Sequence, residues 1–183
     1  MKAERIAEGL WRWTGLHPAW KEGDEWSQEV SCVYYEAPDA VVLIDPLIPP
    51  EAREKFLRHL MHDVHRVRLP VAILHTTESH RRSTDELADR FSATVGELVD
   101  GIEARDTAWY GEVAYWIPEC ATLVFGDVML DGPRLATEWI GDDLPAVLNS
   151  LRPLLELPVE RVLLSHGDPV LGNGRQALAQ ALR

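Results

Sequence analysis

Four short apolar runs in this chain each end in a residue able to do chemistry: VVLID at Asp45, VAILHT at His75 and Thr76, TLVFGD at Asp127, and RVLLSH at His166. Short apolar runs of this kind, bounded by polar or turn-forming residues, read as buried strands. In α/β sheets, ligand sites gather beyond the carboxyl ends of strands, where the connecting loops converge. One such ending would be unremarkable. Four in 183 residues point to one shared site assembled from both halves of the chain.

Further strands are expected over residues 5–13, 30–35 and 113–117, with helices between some of the strands. Pro50 takes the favoured first position of one helix, and Phe56, Leu57, Leu60, Met61 and Val64 form its apolar stripe. Ser83-Thr84-Asp85-Glu86 reads as a capping box opening a second helix through Leu87 and Phe91. Asp142 or Asp143 caps a third, in which Leu144, Val147, Leu148, Leu151 and Leu155 repeat at helical spacing and Pro145 is tolerable in the first turn. Gly174 leads into a last short helix ending at Leu182. No Gly/Ser-rich linker, repeat or low-complexity tract interrupts this order, so residues 1–183 are expected to form a single domain, at most one built of two similar halves.

Composition narrows the function classes. An apolar content of 46% is ordinary for a packed core, and no run approaches the roughly 18 apolar residues of a membrane span. The start, MKAERIAEGL, is charged and has no apolar stretch of the signal-peptide kind, so a cytoplasmic location is the expectation. A formal charge of −12, from 18 basic and 30 acidic residues, argues against nucleic acid and against an anionic membrane surface. The expected partner is a small-molecule substrate or ligand, with homo-oligomerisation left open. Cys32 and Cys120 sit in apolar, strand-like segments without a C-x-x-C pair and read as small buried hydrophobes. There is no G-x-S-x-G elbow, P-loop or dinucleotide fingerprint.

With these residues in this order, the chain resembles the metallo-β-lactamase superfamily from about residue 6 to residue 182. LIDP matches the family's strand-end Asp at Asp45, FGD its bridging carboxylate at Asp127, and SHG its last histidine at His166. The resemblance implies a four-layer αββα sandwich. It also exposes large departures. Where the family carries His-x-His-x-Asp-His, this chain reads Thr76-Thr77-Glu78-Ser79-His80-Arg81, and Ala108 stands at the mid-chain histidine. The family's two-zinc mechanism therefore does not carry over.

A single cation site is the surviving option. His80, Asp127 and His166 would supply two imidazoles and a carboxylate, suited to zinc, iron or manganese, with Glu78 as a further ligand and Asp45 as a hydrogen-bonding support. The metal-free alternative is that Arg81 forks onto Asp127 or Glu78 in place of the ion. Two unit charges about 4 Å apart interact by roughly 4 kcal/mol at an effective dielectric of 20, so the same force that would hold Arg81 there would oppose a dication. Chemistry in that case would fall to His80 with Glu78 as general acid and base.

The other candidates have plainer readings beside them. Trp109, Tyr110 and Trp139 could line a substrate pocket or sit in the core. His59, His62 and His65 fall opposite the apolar stripe of their helix and read as a solvated face. His75 reads as satisfying groups at a strand end, and Asp168 as a turn residue. Two function classes follow: a hydrolase of a small ester, thioester, amide or phosphoester, or a non-catalytic binding module in which Arg81 recognises an anion.

Overall fold

The structure is a computed structural model and describes residues 2–183. The chain divides into two compact units, one comprising residues up to His75 with Ser79–Gly101, the other Thr76–Glu78 with Ile102–Arg183.

The first unit holds one six-stranded sheet of β1 (Lys2–Ala7), β2 (Leu10–Leu16), β3 (Glu29–Glu36), β4 (Val41–Ile44), β5 (Val71–Leu74) and β6 (Thr94–Val95), paired in that order. The first three pairings are antiparallel and the last two parallel. The single strand expected over residues 5–13 is in fact a hairpin. Gly9 takes the left-handed region at φ 68° and reverses the chain between β1 and β2, a turn that its lack of a Cβ permits. Between β4 and β5 lies α1 (Arg53–Val67), entered through a 3-10 turn at Pro50–Ala52. Its Phe56, Leu57, Leu60 and Val64 are buried in a cluster with Trp13, Cys32, Tyr34, Leu43 and Ile73, each side chain contributing about 1.5–3 kcal/mol. His59, His62 and His65 lie on its exposed face. After β5 comes α2 (Thr84–Phe91), with Ser83 at its N-cap. The expected capping box does not form: Ser83 makes no side-chain cap bond, and its Oγ accepts the N–H of Ile48 instead (2.9 Å).

The second unit holds β7 (Glu103–Asp106), β8 (Val113–Ile117), β9 (Thr122–Phe125), a small ribbon of β10 (Met129–Leu130) and β11 (Arg134–Leu135), α3 (Thr137–Ile140), α4 (Leu144–Leu151), β12 (Arg161–Leu164) and α5 (Gly174–Ala181). Its main sheet runs β12-β9-β8-β7, with β12 and β9 parallel. Trp116, Leu123, Phe125, Val147, Leu151, Val162, Leu164 and Leu178 form its core. Asp143 stands at the N-cap of α4, again without a side-chain cap bond, because a 3-10 turn at Gly141–Asp143 already leads into the helix.

Both cysteines are buried and free. Among the described residues, no helix is long and apolar enough to cross a membrane.

One contact shows how tightly α5 is seated. Gly174 donates its N–H to Glu160 O (2.9 Å), and a Cβ at this position would lie 2.8–2.9 Å from the backbone of Glu160 and Arg161. Backbone cannot give way as a side-chain end can. Gly174→Ala is expected to cost about 1–3 kcal/mol of stability, read as a lower denaturation midpoint with an unchanged slope.

Candidate metal centre

Parallel pairing sets the strand ends. In the first unit Ile44 lies opposite Leu74, so the residues after β4 and β5 leave the sheet side by side, with Asp45 donating its N–H to Leu74 O (3.0 Å). Asp45 is buried and left-handed, at φ 51°. Its Oδ2 accepts a hydrogen bond from Nδ1 of His80 (3.0 Å), itself buried in the turn that precedes α2. An ionised carboxylate only accepts, so His80 carries its proton on Nδ1 in this pair. The second ring nitrogen, Nε2, then has the lone-pair form that a metal requires.

Arg82 fixes this corner. It too is left-handed (φ 40°), and its Nη1 donates to the carbonyls of Ser31 (2.8 Å) and Asp45 (3.0 Å), with Cys32 Sγ at 3.7 Å. One guanidinium thus joins the start of β3 to the end of β4. Leu47 N–H points at the same sulfur (3.2 Å), and burial pushes the Cys32 thiol up to about 11, against the pull of Arg82. Cys32 is accordingly a packed thiol with no nucleophilic character at neutral pH.

In the second unit Phe125 lies opposite Leu164, which brings out Asp127 and His166 together beyond β9 and β12. His166 Nε2 is 3.3 Å from Asp127 Oδ1, with the histidine buried and the carboxylate partly so. The SHG glycine has a structural cause. Gly167 takes φ 104°, and a Cβ there would meet Asp131 Cβ at 2.3 Å, while Asp131 Oδ1 accepts the N–H of Asp168 (3.0 Å). The turn after β9 is bonded by a residue that sequence reasoning passed over, from the turn between β7 and β8. Glu112 is buried, and its carboxylate accepts the N–H groups of Gly126, Asp127 and Val128 (3.2, 2.9 and 2.9 Å).

The remaining candidates separate by exposure. Arg81 is exposed and its Nη2 pairs with Asp85 Oδ1 (2.8 Å), an acid one helical turn away. Glu78 is exposed at the head of the same turn as His80. Trp109 is buried in the core of the second unit, whereas Tyr110 is 84% exposed and left-handed, edge-on to Trp109 at 5.4 Å. Trp139 is half-buried against that core. His75 shares a hydrogen bond between Nε2 and Thr84 Oγ1 (2.6 Å).

Neither a sequence-family model nor a curated protein matches the chain. Solved structures do. VMB-1 superposes with a TM-score of 0.65 at 12% identity over 100% of this chain and 98% of its own. An NDM/FIM-1-like metallo-β-lactamase from Erythrobacter litoralis, in its mono-zinc form, gives 0.65 at 16% over 99% and 94%. The metallo-β-lactamase from Pontibacter korlensis gives 0.55 at 18% over 99% and 96%. The chain has the metallo-β-lactamase fold.

Two residues at which the resemblance implies histidines in the family, Thr76 and Ala108, have surroundings of their own. Thr76 is fully buried, its carbonyl accepts the N–H of Val113 (2.7 Å), and its hydroxyl packs on Gly126, where a Cβ would come within 2.6 Å. Ala108 sits exposed in a left-handed turn at φ 58°.

The Arg82 clamp carries a measurable consequence. Hydrogen bonds from charged donors contribute about 1.5–3 kcal/mol each, and a carbonyl left unpaired adds to the loss. Arg82→Met should therefore lower stability by about 3 kcal/mol, and Arg82→Lys should restore less than half of it, because one ammonium lacks the guanidinium's planar fork. Chemical denaturation of the three proteins checks this.

Proposed function

We propose that this protein is a hydrolase-like metalloprotein in which His80, Asp127 and His166 together hold one divalent cation, zinc before iron or manganese. Each of the three offers one donor atom. The observation that carries the proposal is the 3.3 Å between His166 Nε2 and Asp127 Oδ1. Two donors sharing an edge of a tetrahedron at about 2.0–2.1 Å from its centre are roughly 3.3 Å apart. The pair therefore fits one ion without rearrangement. The Asp45–His80 hydrogen bond supports the third donor, since a carboxylate behind a histidine sets both its tautomer and its ring orientation. A neighbour of this fold in a mono-zinc form adds weight to a single-ion site.

Two imidazoles and one carboxylate leave positions open, as in catalytic rather than structural zinc sites. A cation held there supplies Lewis-acid polarisation of a carbonyl or phosphoryl oxygen. The chain's own residues take the rest. Asp45 orients His80. Glu78, exposed two residues before it, would take a proton from an attacking water. Tyr110 offers an exposed aromatic face, and Arg81 a guanidinium for an anionic substituent of the substrate. The substrate class is a small ester, thioester, amide or phosphoester.

Calorimetric zinc titration of protein purified without a histidine tag tests the site. One equivalent should bind, with affinity falling at least about 100-fold in His166→Ala and in Asp127→Asn. A wild type that binds no zinc would overturn the metal site and leave the metal-free readings, acid–base chemistry by His80 with Glu78 or an anion-binding module. β-Lactam hydrolysis is not expected, because the first metal position of the family has lost its histidines to Thr76, Glu78 and Ala108. Chelator-sensitive nitrocefin turnover that disappears in His166→Ala would contradict this.

A further inference from the structure

A carboxylate in a tight turn ordinarily hydrogen-bonds backbone amides one or two residues further on. Asp127 occupies such a turn, yet the amides around it are already taken. Glu112, 1% exposed at the end of the turn between β7 and β8, reaches across to them. Its Oε1 accepts from Gly126 (3.2 Å), and its Oε2 accepts from both Asp127 and Val128 (2.9 Å each). Three successive N–H groups directed at one carboxylate form an electropositive cradle for an anion.

Everything around Glu112 holds it in that cradle. Its N–H donates to Trp109 O (2.8 Å), and its carbonyl accepts from Thr107 Oγ1 (2.9 Å). Gly126 closes the other side. A Cβ at residue 126 would lie 2.6 Å from Thr76 Oγ1 and 3.0 Å from Glu112 Cδ, so only glycine lets this amide approach the carboxylate.

We propose that Glu112 is the positioning residue of the candidate metal site, filling the amide cradle of residues 126–128 so that the Asp127 carboxylate is turned toward His166 and the cation. The role at the cation rests on the metal site proposed above; the cradle itself does not. Glutamine has the size of glutamate but presents only one acceptor oxygen, and its amide nitrogen would face a backbone N–H. With the cradle half empty, the carboxylate of Asp127, which belongs to the same turn, would compete to fill it.

Zinc affinity and the ¹⁵N signal of the His166 imidazole are to be compared in wild type, Glu112→Gln and Glu112→Asp, at a temperature where circular dichroism shows each to be folded. Glu112→Gln should bind zinc about 10–100-fold more weakly and shift the His166 signal in the metal-free protein. Glu112→Asp, which keeps the charge with a shorter reach, should fall between. A purely structural glutamate would lower the melting temperature and leave both readouts where they were, which would overturn the positioning role. If the wild type binds no zinc, the metal site is lost on that result alone, and the His166 signal decides: shifted in Glu112→Gln, the positioning role stands; unshifted, it falls. Should Glu112→Gln fail to fold, the same two readouts in Glu112→Asp decide: a change in both supports the positioning role, and no change in either overturns it.

Discussion

A buried strand that stops inside a protein leaves backbone carbonyls and amides with no ladder partner and no water, and each one left unpaired costs about as much as a lost hydrogen bond. The apolar strands of this protein end under that constraint, and two charged side chains answer it. Arg82 collects carbonyls at the junction of β3 and β4. Glu112 collects amides after β9. A cation for carbonyls and an anion for amides are the charge-assisted forms of the bond, about twice as strong as neutral ones. Asp45, at one junction, and Asp127, at the other, inherit their placement from these clamps.

Backbone strain follows the same map. Of the eight non-glycine residues with positive φ among the described residues, Arg68 and Ser92 end helices, and Ala121 and Asn173 border them. These are ordinary uses of the left-handed conformation. The other four, Asp45, Arg82, Ala108 and Tyr110, lie in the segments that carry or brace the candidate residues. Strain of order 1–3 kcal/mol per residue persists only where surrounding bonds over-determine the conformation. Asp45 and Arg82 meet that condition through each other, since the guanidinium of one holds the carbonyl of the other.

Several elements were legible because they depend on local pattern alone. The strands ending at Phe125 and Ile117, the apolar stripe of α1 apart from Met61, which is exposed, and the solvated histidines on its far side emerge as the periodicity of side chains predicts. Ser83 misleads for a physical reason: its hydroxyl can serve either its own helix or Ile48, and only the folded chain brings Ile48 near. β7 has no apolar pattern to detect, because its EARD sequence is mostly exposed and pairs through its backbone. The adjacent arginines show the same limit. Arg81, weighed as an ion-pair partner of Asp127 or Glu78, is exposed and has Asp85 as one partner, while Arg82 turns inward.

The sequence by itself determined where the chain would present chemistry. Four apolar runs had to be buried, and the polar residue closing each run had to emerge at a strand end. It determined as well that Thr76, Glu78 and Ala108 bring no imidazole to their positions, since no fold can supply an absent side chain. Which carboxylate stands behind which histidine was a matter for tertiary structure. Asp45 and His80 are 35 residues apart in the chain and Asp127 and His166 are 39, and their pairing depends on the parallel register of β4 with β5 and of β9 with β12. Tertiary structure also decided that Glu112 serves the backbone of Gly126, Asp127 and Val128. A hydrogen bond requires direction and a distance near 3 Å, and neither is encoded in the order of residues until the sheets have formed.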